Sequence, residues 1–289
     1  VGDCLYQKRQ FAQAEENYSR AAQLQPSAGD YSVYQKGFLL GLQKDYRGKI
    51  SAMDRLIRDY PESQYVDDAL FEKGRSYVLL ENSSQAAQAF ETLIQRFPQS
   101  SLARKAGIQL GLLYFNDNQP QKAADAYKKV ISNYPGSEEA RVALQDLKSV
   151  YIDLNDINAY ANYVNSLGGN VRLEVSEQDS LTYMAAEKIY MRGRVEQAKE
   201  SFGKYLQTFP DGAFGLNAHY YLCLIGKEQK NYDMILEHSG KLLEYPDNPF
   251  SEEALIMRAK VQFNKVQFAD ALASYKMLKE KATTAERRL

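Results

Sequence analysis

The sequence predicts an all-α protein built as a solenoid of about eight stacked helix pairs. Two observations carry that expectation. Prolines recur along the chain: Pro26, Pro61, Pro98, Pro135, Pro210 and Pro246 are separated by 35, 37, 37, 75 and 36 residues, and 75 is two periods with one proline missing. A unit of about 36 residues lies in the range of helix-pair repeats. Between the prolines, small and apolar residues return at intervals of three and four, the period of an amphipathic helix.

Taken in order, the first unit carries Gly2, Leu5, Ala14, Tyr18, Ala21 and Pro26. The second closes on Tyr60-Pro61, but Lys49 stands where a small residue is expected. The third has Gly74, Tyr77, Ala86, Phe90, Leu93 and Pro98. The fourth is the most regular, with Leu110-Gly111, Tyr114, Ala123, Tyr127, Val130 and Pro135. The fifth, roughly Arg141 to Leu167, ends in NSLGGN rather than in an aromatic and a proline. The sixth has Ala186, Ile189, Ala198, Phe202, Tyr205 and Pro210. The seventh is slightly short and puts Cys223 at the small position. The eighth, from about Glu252, has Ala259, Ala271, Tyr275 and Leu278 without a closing proline. A small residue on the first helix and an alanine on the second let the two helices approach closely, and the aromatics fill what is left.

The stretch RDYPESQYVDDAL (Arg58 to Leu70) shows how one unit hands over to the next. Pro61 cannot continue a helix and biases Tyr60 out of helical geometry. Ser63 is then expected to cap the following helix. SEEA at Ser137 and at Ser251 adds carboxylates to a first turn, where the helix dipole favours them. A cap so soon after the proline predicts first helices lengthened by nearly a turn, not long loops.

Small-x-x-Tyr, then Ala, then Phe or Tyr, then Pro resembles the tetratricopeptide repeat over nearly the whole chain, although tryptophan is absent. The resemblance implies a right-handed α-solenoid that binds a protein or peptide partner. The variant Tyr/Phe-Pro-x-Ser resembles repeat proteins of the bacterial envelope such as BamD and YbgF. Ser176 to Phe214 is similar to long repeat proteins of the Bacteroidota envelope. These likenesses imply a periplasmic or outer-membrane-associated scaffold, with a cytoplasmic peptide adaptor as the alternative. The chaperone-adaptor groove needs Lys, Asn and Arg at matched positions, and Tyr34, Phe38, Glu72 and Gln109 occupy several of them.

Other function classes find little support. The formal charge is −1, from 36 basic and 37 acidic residues, with no long run of one sign. Nucleic-acid binding needs a basic face, and anionic-membrane recognition a basic cluster. No apolar run approaches the roughly 20 residues of a membrane span. Cys4 and Cys223 are expected as free, mostly buried thiols. His219 and Cys223 share a helix face, but two ligands are short of the about four of a tetrahedral site, so no metal or cofactor is expected. LGG at Leu167 lacks the Gly-Lys-Ser/Thr of a phosphate loop and reads as a helix end. Asp67-Asp68 and Glu138-Glu139 read as solvated first-turn charges. No nucleophile, base and orienting group assemble, so the chain is expected not to be an enzyme.

Stacked helix pairs create an extended surface lined, by the family resemblance, by the first helices. The candidate partner-binding residues are Tyr31, Tyr34, Phe38, Phe71, Arg75, Ile108, Leu112, Phe115, Tyr183, Glu187, Tyr190, Tyr220, Leu224, Ile256 and Lys260. Aromatics and arginine are common interface anchors. Twenty-two tyrosines also leave a glycan or peptidoglycan binder as an alternative. GGNVRLEVSEQDS (Gly168 to Ser180) alternates Val171, Leu173 and Val175 with polar residues, which predicts a short extended piece and a hinge. The expected subarrays are 1–167 and 168–289. Neither end carries a polar capping helix, which suggests a fragment of a longer repeat protein or self-association through the ends.

Overall fold

A computed structural model describes residues 1–168, 172–245 and 247–282. Gly169, Asn170, Val171, Pro246 and residues 283–289 lie outside the described residues, and with them part of the expected hinge and extended piece. Leu173 has no regular structure, and Val175 opens a helix.

The chain divides into two compact units, Val1–Val150 and Tyr151–Leu289. The first holds α1 (Gly2–Gln7), α2 (Phe11–Leu24), α3 (Asp30–Leu42), α4 (Tyr46–Asp59), α5 (Val66–Leu79), α6 (Ser83–Arg96), α7 (Ser101–Asn116), α8 (Pro120–Asn133) and most of α9 (Glu138–Leu154). The second holds α10 (Ile157–Ser166), α11 (Val175–Met191), α12 (Val195–Thr208), α13 (Gly215–Glu228), α14 (Tyr232–Leu243), α15 (Ser251–Asn264) and α16 (Phe268–Lys281). Among the described residues there is no strand.

Successive helices pair antiparallel through the predicted small residues. A Cβ added to Gly111 of α7 would stand 2.5 Å from the Tyr127 ring of α8, while Gly107, one turn earlier, faces Val130 further along α8. Gly74 of α5 makes the same room for Phe90 of α6. The bare glycine backbone admits a whole ring between two helices, and Phe90 and Tyr127 are accordingly buried. Lys49 breaks the pattern without breaking the packing. Its stem lies over Gly41, where a Cβ would come within 2.8 Å of it, and its ammonium meets the Glu72 carboxylate.

The turn inside each pair is periodic in a way composition conceals. Arg9, Lys44, Glu81, Asn118, Asn155, Gly193, Lys230 and Val266 all have positive φ, between 54° and 73°. In each turn the N–H of the next residue reaches back five residues, as in Gln119 N–H to the Tyr114 carbonyl at 2.8 Å. This is the Schellman closure, which normally recruits glycine. Only Gly193 is one. Val266, φ 61° and 69% exposed, is β-branched and poorly suited to that region. Val266→Asn is expected to raise stability by about 1 kcal/mol, since left-handed backbone costs an ordinary residue about that much. Denaturant unfolding checks it, and a loss of stability refutes it.

Between pairs the structure corrects three expectations. Only α7, α9 and α11, with 16, 17 and 17 residues, are lengthened; α3, α5, α13 and α15 have 13 or 14. Around Pro61 the extra residues go into the turn, because α5 does not begin until Val66. Ser63 is therefore not the capping residue, which is Tyr65. The Ser63 hydroxyl instead accepts from Tyr65 N–H at 3.2 Å and donates to Asp30 of α3 at 2.7 Å. Ser100 does cap α7, and its hydroxyl donates to Asp67 of α5 at 2.7 Å. Asp67 is thus a tie between pairs rather than a solvated charge. Cys4 is exposed, unlike Cys223. In α1 the side facing Tyr18 belongs to Gly2, and two residues on is the opposite side of a helix.

Candidate functional site

The first helices of the first unit supply eight of the candidate side chains. Tyr31, Tyr34 and Phe38 come from α3, Phe71 and Arg75 from α5, and Ile108, Leu112 and Phe115 from α7. Leu112 and Arg75 are exposed, and Phe71, Ile108 and Phe115 are half-buried. The reason is helical register: Gly111 and Gly107 turn toward α8, so Ile108 and Leu112 face away from it. Phe71, Arg75, Ile108 and Gln109 converge with Lys105, Glu138, Glu139 and Val142 around one cavity of about 460 Å³. It is bordered by three first helices, α5, α7 and α9.

The remaining aromatics are largely engaged within the fold. Tyr31 donates to Asp3 at 2.8 Å, and Tyr18 donates to the same oxygen at 2.5 Å. Those two hydroxyls hold the Asp3 carboxyl below its ordinary range. Tyr34 stacks on Tyr65 with centroids 5.1 Å apart. Burial, then the neighbouring Asp68, Glu72 and Asp67 carboxylates, push its phenol pKa up. Burial raises the Asp68 pKa in turn.

In the second unit Tyr183 is core rather than surface, only 4% exposed and stacked on Phe214 at 4.6 Å. Glu187 accepts from Tyr183 at 2.8 Å and from Tyr221 at 3.0 Å, so its carboxylate serves the fold. Tyr190 donates to Glu228 at 2.6 Å. Tyr220 stacks on Phe250 at 4.5 Å, and Leu224 packs on the core beside it. Ile256 and Lys260 line a separate cavity of about 400 Å³ with Lys227, Tyr232 and Glu253.

These stacked pairs follow a rule that the sequence reading missed. Tyr65, Phe214 and Phe250 lie 31, 31 and 30 positions after Tyr34, Tyr183 and Tyr220. Each is the last residue before a first helix, and its ring lies on the preceding first helix. The signal was present in the aromatic four positions after Pro61, Pro210 and Pro246.

Two further features sit away from the first-helix face. A cavity of about 740 Å³ lies among α2, α3 and α4, lined by Arg47, Arg55 and Arg58 and by Glu15, Asp45 and Asp54. His219 meets His238 of α14 rather than forming a site with Cys223; their Nδ1 atoms are 3.0 Å apart. At that distance one ring donates an Nδ1–H to the other. Burial and then the neighbouring His238 push the His219 pKa down to about 4, so it is neutral at pH 7. Among the described residues no three His, Cys, Asp or Glu side chains come together as a metal site, and no helix is long and apolar enough to cross a membrane.

Antiparallel helix pairs on a period of about 36 residues, closed by identical turns, define a helical-repeat protein. Residues 31–63 and 71–138 match models of the tetratricopeptide repeat, so the chain carries repeats of that type. No curated protein matches the chain. Among solved structures it resembles a chain of the Naa15/Naa10 complex bound to HypK-THB, at 14% identity and a TM-score of 0.51; the likeness covers 99% of this chain and 44% of that one. It also resembles MamA from Desulfovibrio magneticus, at 18% identity and TM-score 0.45, over 58% of this chain and 89% of that one. A tetratricopeptide repeat protein from Parabacteroides merdae aligns at 12% identity and TM-score 0.42, over 89% and 94%. At 14% identity the likeness to the Naa15/Naa10 chain is one of fold.

Proposed function

We propose that the chain is a non-catalytic scaffold that binds a protein partner on the first-helix face of its first unit. The carrying observation is the convergence of α5, α7 and α9 on one cavity with both apolar and charged walls. Interfaces combine such an apolar centre with a polar rim. A photo-crosslinker at Leu112 is expected to trap the partner, while one at the exposed Lys129 of α8 is not. Equal trapping from both positions refutes the reading. Purified cell-wall glycan serves as the competing ligand, and its binding at Leu112 would favour the glycan alternative.

The setting we propose is the bacterial envelope, facing the periplasm. It rests on the Tyr/Phe-Pro-x-Ser punctuation at Pro61, Pro98 and Pro135. Fractionation of the native cell tests it, and recovery with the cytoplasm would favour a soluble adaptor.

A further inference from the structure

We propose that the junction of α7 and α9 is an anchor pocket for one aromatic side chain of the partner, flanked by a carboxylate that pairs with Lys105. This deepens the first-helix reading above and rests on it. The argument comes from the fold's own rule for its junctions. At Tyr34, Tyr183 and Tyr220 the next pair delivers a ring onto the preceding first helix. At Phe71 the corresponding residue is Leu102, which packs on the same core. At Ile108 the residue 31 positions on is Glu139.

Glu139 cannot fill an apolar slot. Its carboxylate is drawn to Arg104, 4.0 Å away. The cavity of about 460 Å³ opens at this junction, with Phe71, Ile108 and Val142 as its apolar walls. Val142 is left 37% exposed. At three of the four junctions where the chain fills the equivalent place itself, it uses a ring, 4.5–5.1 Å from the ring beneath; at the fourth, Leu102 does so. The apolar walls at this place therefore suit an aromatic side chain supplied from outside.

The rim decides the flanking charge. Glu138 is paired with Arg141, Glu139 with Arg104, and Arg75 with Glu72. Lys105 is exposed and, among the described residues, has no ion-pair partner. An aspartate or glutamate beside the anchor would complete it, and a basic flank would not.

Selection of random phage-displayed peptides on the chain tests this. The expected consensus is Phe, Tyr or Trp next to Asp or Glu. Glu139→Phe supplies the missing ring from within; it is expected to keep the helical signal and weaken the selected peptides about tenfold, the scale of one lost anchor. Lys105→Glu, at an exposed position, is expected to weaken acidic peptides and spare their glutamine analogues. Peptides without an aromatic, or undiminished binding to Glu139→Phe, overturn the pocket. Should Glu139→Phe not fold, unchanged affinity in Lys105→Glu overturns it. Crosslinking that persists at Leu112 while Glu139→Phe has no effect refutes the pocket and leaves the first-helix face standing. Loss of crosslinking at Leu112 in the unaltered chain refutes the face itself.

Discussion

Replacing Phe202 with alanine should cost about 3–5 kcal/mol of stability, the range for a buried ring cut back to a methyl group. Phe202 is fully buried in α12. Its ring stacks on Tyr221 with centroids 5.0 Å apart and planes 9° from parallel, and tilts against Tyr183 at 6.1 Å. Truncation removes contacts to α11 and α13 together, and the aromatics around the hole are too stiff to collapse into it. The control is Phe263→Ala in α15. That ring is 56% exposed, and its loss should cost within about 0.5 kcal/mol. Urea unfolding with both variants reads the difference. Equal costs would mean that Phe202 is not a core residue and that the pairing of α11 with α12 is misplaced.

The second large effect is expected at Asp179, an acidic residue of α11 that is 7% exposed. One carboxylate oxygen accepts from the Tyr205 hydroxyl at 2.5 Å, and the other from Ala213 N–H at 2.7 Å. Tyr205 is itself fully buried and also accepts from Phe214 N–H at 3.0 Å. Asp179→Ala would orphan a buried hydroxyl and a backbone N–H at once. Bonds to a charged group are worth about 1.5–3 kcal/mol each, so a loss of about 3 kcal/mol is expected. Asp179→Asn keeps the shape and one acceptor and should cost about half as much. A fully tolerated alanine would show that water satisfies both donors and that the turn at Pro210 does not need the tie.

Why these two residues matter was only half legible in the sequence. Phe202 stood at a repeating aromatic position, and its burial follows from the spacing of Ala198, Phe202 and Tyr205. Asp179 carried no such mark. Its partner Ala213 lies 34 residues away, and no local pattern connects a carboxylate to an N–H in the next pair. The same limit explains Ser63, read as a cap but bonded to Asp30 of the preceding pair. The fold class was legible because period and amphipathicity are local. The turns inside the pairs were not, because their left-handed positions hold Arg, Lys, Glu, Asn and Val rather than the glycine that usually marks such a turn. Of the candidate site, Phe71, Arg75 and Ile108 do share one cavity. Tyr183 went to the core because Phe214 covers it. Helical register identifies a face, but the residue that covers the face comes from another helix.

The glutamate at the α7–α9 junction also bears on how the first unit comes apart. In a linear array each repeat is held by its own stability and by coupling to its nearest neighbours. A ring threaded from one pair onto the last makes that coupling strong, so adjacent pairs unfold as one block. With Glu139 in that place, coupling across the junction rests on fewer apolar contacts. The α9 side can then open locally while the pairs before it stay closed, and amide exchange would step between two cooperative blocks rather than fall smoothly. A partner's side chain seated there would join the blocks, so that occupancy registers as protection far from the ring that supplies it.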